Sequence, residues 1–237
     1  MRYKIFLMVL FGSMVVIDCV ATNVQEIFLN ANQLYQEEKY AKALQLYDSI
    51  EKKGPATWFN MGNCAFGLKK YVEAIIYWKR ARKNSATYWL QAIDHNISHA
   101  YNKLGRVYTQ GLMEKIYAQI SLVSLFWLQL LFIICWFFFF ICWFWLKKWR
   151  FGLLATLIVL NIVCTAVLFL KYRTVQYPLA IVKNNTVLFS GPDKDYHVMA
   201  NINAADQVQV GQKDGRWYKV KYGSITGWVL SENIEIM

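Results

Sequence analysis

Few residues in this chain have the type and spacing to do chemistry. His95 and His99 stand four apart in a stretch of helical pattern, so they share a helix face and could pair on a metal ion. A catalytic zinc needs three protein ligands and an open position. Asp94 is the one further ligand type nearby, so a metal enzyme is one reading and a pair of ordinary surface histidines is the other. The five cysteines (Cys19, Cys64, Cys135, Cys142 and Cys164) form no disulfide framework and suggest no nucleophile dyad. Phosphate-cradling glycine loops and zinc-protease helices are absent as motifs. The expectation is a non-enzyme with no metal and no cofactor, whose chemistry is binding. The candidates are Asn32 and Asn63 in the first half, Tyr196, Trp217 and Trp228 in the last quarter, and the cations Lys147, Lys148 and Arg150 between apolar runs.

Asn32 and Asn63 are related by an internal repeat. A shift of 31 residues places Ala31-Asn32 on Gly62-Asn63, Lys39-Tyr40 on Lys70-Tyr71, Ala43 on Ala74 and Tyr47 on Trp78. The surrounding text, NQLYQEEKYAKALQLYDSI and VEAIIYWKRARK, is apolar at three- and four-residue spacing, which predicts helices. The set Trp58-x2-Met61-Gly62, Ala43-x3-Tyr47, Ala74-x3-Trp78 and Pro55 resembles the tetratricopeptide repeat (TPR). The period of 31 is shorter than the usual 34, and Leu34, Ala65 and Ala86 stand where tyrosines and a proline are usual. Two repeats are visible, and residues 86–104, with Trp89, Leu90, Ile93, Ile97 and Tyr101 on one stripe, read as a capping helix. The resemblance implies that Asn32 and Asn63 hydrogen-bond the backbone of a bound peptide; the alternative is that they solvate a helix face. Phe28 stands where clamps for acidic C-termini carry a lysine.

The aromatic candidates lie in text of another kind. DQVQVGQ and RWYKVKYG alternate, and turn signals recur at Lys183-Asn184-Asn185, Ser190-Gly191-Pro192, Lys213-Asp214-Gly215 and Tyr222-Gly223-Ser224. Short strands so spaced predict a small all-β barrel. Ser190-Gly191-Pro192, Tyr196, Val208-x-Val210, Asp214 to Val220 and Gly227-Trp228-Val229 resemble the bacterial SH3 (SH3b) domain. The resemblance implies that Tyr196, Trp217 and Trp228 line a groove for a peptide or wall glycopeptide. At least one of the two tryptophans could instead be barrel core.

Between these segments, residues 116–146 and 151–170 contain no charged residue. A bilayer core of about 30 Å takes roughly 20 helical residues, so both runs are expected to cross a membrane. Four residues between them cannot cross it, so the two form a hairpin around Lys147, Lys148 and Arg150. Short loops rich in Lys and Arg stay in the cytoplasm, and Trp143, Trp145 and Trp149 cluster at the same end. Lys171 and Arg173 flank the other end. Both flanking segments are therefore expected outside. The first residues point the same way: Arg2 and Lys4, then apolar residues 5–17, then Cys19-Val20-Ala21, form a secretory signal peptide. An uncleaved anchor would give the same topology, and Asp18 disfavours a lipoprotein site.

The expected architecture is a multi-domain membrane protein: signal peptide 1–21, all-α TPR domain 22–104, interfacial linker 105–118, transmembrane helices 119–146 and 151–170 around the cytoplasmic loop 147–150, linker 171–176, and SH3b domain 177–237. The net charge of +11 would suit nucleic acid, but export argues against it. The segment 22–115 alone has thirteen basic and eight acidic residues, a surplus of five. The order of modules resembles the BatE-type proteins of the Bat (aerotolerance operon) family. That resemblance implies a bacterial cytoplasmic-membrane scaffold, exposed on the periplasmic face, acting in oxygen or stress tolerance with von Willebrand A-type membrane proteins and a MoxR-type ATPase. The alternative is an envelope sensor whose SH3b domain binds peptidoglycan directly.

Overall fold

The computed structural model describes residues 23–83, 85, 87–108, 120, 123–145 and 150–237. The leader expected at 1–21, most of the segment 105–118, and Lys147 and Lys148 lie outside them; of Arg150 only the helical backbone is described. The chain divides into two compact units, Met1–Tyr108 and Thr109–Met237.

The first unit is helical: α1 over residues 23–36, then α2 (Tyr40–Asp48), α3 (Pro55–Gly67), α4 (Tyr71–Lys83) and α5 (Thr87–Lys103). Pro55 begins α3, where its missing N–H would have no partner and its fixed φ suits a helix. The 31-residue repeat is physical. Glu38 and Lys69, 31 positions apart, both take a left-handed backbone, with φ of 57° and 62°. At each, the chain closes the helix with the same two bonds, Glu38 N–H to Tyr35 O and Lys39 N–H to Leu34 O, then Lys69 N–H to Phe66 O and Lys70 N–H to Ala65 O. A third copy ends α5 at Gly105, where Gly105 N–H reaches Asn102 O and Arg106 N–H reaches Tyr101 O. Small residues at repeat positions let helices approach: Ala31, Ala43 and Ala74 are fully buried. Tyr47 and Trp78 fill the space beside them. The core holds Ala31, Ala43, Tyr47, Ile50, Met61 and Cys64. On α5 the buried face is Ile93, Ile97, Ala100 and Tyr101.

The second unit opens with two long apolar helices, α6 (Leu125–Trp145) and α7 (Arg150–Gln176). Their spans Leu125–Phe144 and Phe151–Arg173 have mean hydropathies of 2.5 and 2.7. Both are long and apolar enough to cross a membrane, and only 17% of each span is buried, whereas the core helix of a soluble protein is mostly covered. The two helices pack along one another. Leu128, Cys135 and Cys142, seven apart, are the buried residues of α6, and Leu154, Asn161 and Cys164 are those of α7. At the far end from the turn, Lys171 Nζ donates to the carbonyls of Ile120 and Val123. α7 continues through 171–176 because nothing breaks it until Pro178, which disfavours helix at Tyr177.

Seven strands follow: β1 (Leu179–Val182), β2 (Thr186–Phe189), β3 (Val198–Ile202), β4 (Gln207–Asp214), β5 (Trp217–Tyr222), β6 (Ile225–Leu230) and β7 (Ile234–Ile236). They form one antiparallel sheet in the order β3-β2-β6-β5-β4-β1-β7. One core takes a residue or two from every strand, including Val182, Leu188, Ile202, Val208, Val220, Val229 and Ile234. The β4–β5 and β5–β6 hairpins turn at Gly215 and Gly223, with φ of 53° and 59°, a conformation that costs other residues energy.

Candidate binding site

Strand alternation decides what the β domain shows to its surroundings. On β5, Tyr218, Val220 and Tyr222 turn to the core, so Trp217, Lys219 and Lys221 turn away. On β6, Val229 turns in and Trp228 out. On β2, Leu188 turns in and Phe189 out. Register brings these outward residues together. Phe189 pairs with Trp228 across β2 and β6, and Lys219 pairs with Trp228 across β5 and β6. The Phe189 and Trp217 rings meet edge to face at 5.5 Å, and the Lys219 ammonium lies 6.0 Å from the Trp228 ring. Neither tryptophan joins the core, and both are half-buried. They form an aromatic surface with a cation at its side.

Two glycines make this surface possible. A Cβ on Gly227 would lie 2.5 Å from the Phe189 carbonyl oxygen, so β6 can cross β2 only with glycine there. A Cβ on Gly191 would lie 2.6 Å from the Tyr196 ring. Tyr196 therefore lies flat over Gly191 in the β2–β3 loop, two residues beyond Phe189, and stays 52% exposed. Of the three expected groove residues, Trp217 and Trp228 are joined through Phe189, while Tyr196 has its own seat on Gly191. Phe189 is not marked by any motif. Its signal is the alternation in TVLF, which needs the β2–β6 register before it points to Trp217 and Trp228.

Asn32 and Asn63 occupy matching places in a ladder of side-chain hydrogen bonds. Asn32 Oδ1 accepts from the Tyr47 hydroxyl at 2.5 Å and from Asn60 Nδ2 at 3.0 Å. Asn63 Oδ1 accepts from Trp78 Nε1 at 3.1 Å and from Asn96 Nδ2 at 3.4 Å. Each asparagine thus ties three successive helices. Its oxygen is engaged within the chain. Asn60 and Asn96 were not legible from the repeat, because their spacing of 36 differs from 31. Burial pushes the Tyr47 phenol up to about 12 and the Cys64 thiol up to about 12.

His95 and His99 lie one turn apart on α5. His99 packs its ring 5.1 Å from Phe66. Asp94 is held by Arg82, whose Nε lies 2.7 Å from Asp94 Oδ1. Among the described residues no three His, Cys, Asp or Glu side chains cluster as metal ligands would.

Residues 184–235 match the family described as the bacterial SH3 domain. All of the outward aromatic residues, Tyr196 and Lys219 lie inside that stretch. The match spans under a quarter of the chain, so it describes this domain alone. No curated protein matches the chain.

Proposed function

We propose that the protein is a non-catalytic membrane adaptor that holds partners on the outer face of the cytoplasmic membrane. The observation that carries this is the aromatic face Phe189, Trp217 and Trp228 on a domain of bacterial SH3 type. These rings lie outside the core cluster, and aromatic side chains are enriched at the centre of contact surfaces. The length, hydropathy and exposure of α6 and α7 support a transmembrane hairpin. The cations Lys147, Lys148 and Arg150 support a cytoplasmic turn. The 31-residue recurrence of helix ends, small residues and asparagine bonds supports a TPR reading of the helical unit. In that reading Asn32 and Asn63 present amide protons to a peptide. With both modules on one side, a shared ligand meets the second at raised effective concentration. The module order, which resembles the BatE-type proteins, makes von Willebrand A-type membrane proteins the first partners to seek.

The test is cross-linking in intact cells, then recovery of the full-length tagged chain and mass spectrometry of what accompanies it. The adaptor reading expects membrane proteins of that type, lost in Trp217→Ala with Trp228→Ala. A second reading is an envelope sensor, favoured by the same rings because sugars and peptides both stack on aromatic faces. Recovery of wall fragments with no protein partner would select it.

A further inference from the structure

Asn161 sits where the apolar hairpin has least tolerance for an amide. It is 7% exposed. Its Nδ2 donates to the Leu157 carbonyl at 3.0 Å, and its own carbonyl accepts from Thr165 Oγ1 at 2.8 Å. Its Oδ1 accepts nothing, and among the described residues it is the one buried side-chain nitrogen or oxygen without a partner. The side chain lines a groove of about 550 Å³ between the two helices, with Trp136 and Phe139 on one wall and Ile158, Ile162 and Ala166 on the other. Asn161 is close to the middle of the span Phe151–Arg173. Hydrocarbon offers no water to satisfy that oxygen.

We propose that this groove is the contact between two copies of the chain, with Asn161 of each copy hydrogen-bonded to Asn161 of the other. The proposal rests on the membrane reading of α6 and α7. Donor and acceptor counts favour a second copy as the occupant. Each Asn161 has an acceptor without a partner, itself covered within the single chain, and, after its bond to Leu157, one unused amide proton, so pairing requires the amide to turn outward into the groove. Two copies cancel both deficits with two reciprocal N–H···O bonds. Depth favours it as well: copies with the same topology place residue 161 at the same level in the bilayer, so a two-fold axis along the membrane normal brings like to like. Only a self-complementary group can meet itself across such an axis, and a primary amide is one. Small Ala166, five residues on from Asn161 and lining the same groove, lets a helix approach closely.

The test uses the full-length protein reconstituted in phosphatidylethanolamine and phosphatidylglycerol vesicles, with donor or acceptor dyes attached after Met237. Energy transfer should be present and should fall as lipid dilutes the protein. Asn161→Leu should weaken self-association about tenfold, the value of two modest intramembrane hydrogen bonds, while Asn161→Gln, which keeps the amide, should retain more of it. Ala166→Cys should form an intermolecular disulfide under mild oxidation. Leu160→Cys, outside the groove, should not, nor should the parent chain; all three chains carry Cys19→Ser, which leaves the buried Cys64, Cys135, Cys142 and Cys164 as their native cysteines. If Asn161→Leu fails to reconstitute, the Ala166→Cys result decides alone. A chain that floats with the vesicles yet shows no transfer at any dilution, or transfer unchanged by Asn161→Leu, overturns the dimer and leaves the membrane reading standing. Capture of a different membrane protein or a lipid-soluble molecule by the monomer also overturns it. A chain that does not float overturns both.

Discussion

A single carbon added at Gly62 would lie 2.4 Å from the Trp78 indole nitrogen. One repeat earlier the same place holds Ala31, and the aromatic opposite it is the smaller Tyr47. The two copies solve one packing problem with different pairs of sizes. Gly62→Ala gains about 1 kcal/mol of helix propensity. It also drives a methyl into a ring held by hydrogen bonds to the Phe59 carbonyl and Asn63, and overpacking of that kind costs about 1–3 kcal/mol. The clash wins, so Gly62→Ala lowers the denaturation midpoint. Adding Trp78→Tyr rebuilds the Ala31–Tyr47 pair and recovers most of the loss, which a double-mutant cycle reads directly. The same core sets a pH dependence. The folded state keeps protons on Cys64 and Tyr47 up to about 12, while the unfolded chain releases them from about 8.5 and about 10. Folded groups then bind more protons than unfolded ones, so stability is intact below about 8.5 and falls as pH rises toward about 12. Chemical denaturation of the helical unit across that window checks it. Tyr47→Phe flattens the slope, and an unchanged midpoint from neutral to strongly alkaline pH would refute the account. Because Asn32 and Asn63 hold helices together, Asn→Ala at either place loosens the repeat as well as any peptide contact, and loss of binding in those variants has to be read beside their stability.

The helix ends carry a prediction of their own. Glu38 and Lys69 hold left-handed backbones that Cβ atoms disfavour, and the third copy already has glycine at Gly105. Lys69→Gly therefore raises stability by about 0.5–1 kcal/mol, because relief of backbone strain exceeds the entropy glycine adds to the unfolded chain. Thermal unfolding measures it, and a lower midpoint would refute it. In the β domain the same logic separates two faces of one sheet. Trp217→Ala or Trp228→Ala should abolish capture of partners with a small effect on folding. Leu188→Ala, inside the core, should cost about 2–5 kcal/mol and lose both together. Equal destabilisation by all three would show that the outward rings are structural. Legibility from sequence tracks these elements closely. Gly62, Trp78 and the Asp214–Gly215 turn are read from local text, since period and turn chemistry are local properties. Phe189 and Asn60 are not, because they join their sites through register and through the neighbouring helix. Asn161 is the one asparagine in an uncharged run, a signal visible in sequence, but the unmet acceptor on its Oδ1 arises only once α6 is packed beside it.

At the scale of the whole chain the decisive quantity is where charge lies along a hydrophobic hairpin. Lys147, Lys148 and Arg150 put three cations at one end of the two runs, and Lys115, Lys171 and Arg173 adjoin the other. Six cations divided three and three give no orientation by count alone. Concentration within a four-residue loop favours the turn, because the rule weights short loops and residues next to the spans. Lys171 is also occupied by the Ile120 and Val123 carbonyls, which reduces its freedom to hold that end in the cytoplasm. An alkaline phosphatase fusion after Met237 is therefore expected to be active and one at Lys148 inactive. The sharper test neutralises the loop. Lys147→Gln, Lys148→Gln and Arg150→Gln leave Lys115, Lys171 and Arg173 as the dominant cations beside the hairpin, so the charge bias reverses. If the loop orients the hairpin, activity of the Met237 fusion falls, and it falls further in a chain that also lacks the cations Arg2 and Lys4 of the expected leader. If it stays at the wild-type level in both, orientation comes from neither cluster, and the proposed placement of the SH3 domain loses its electrostatic basis.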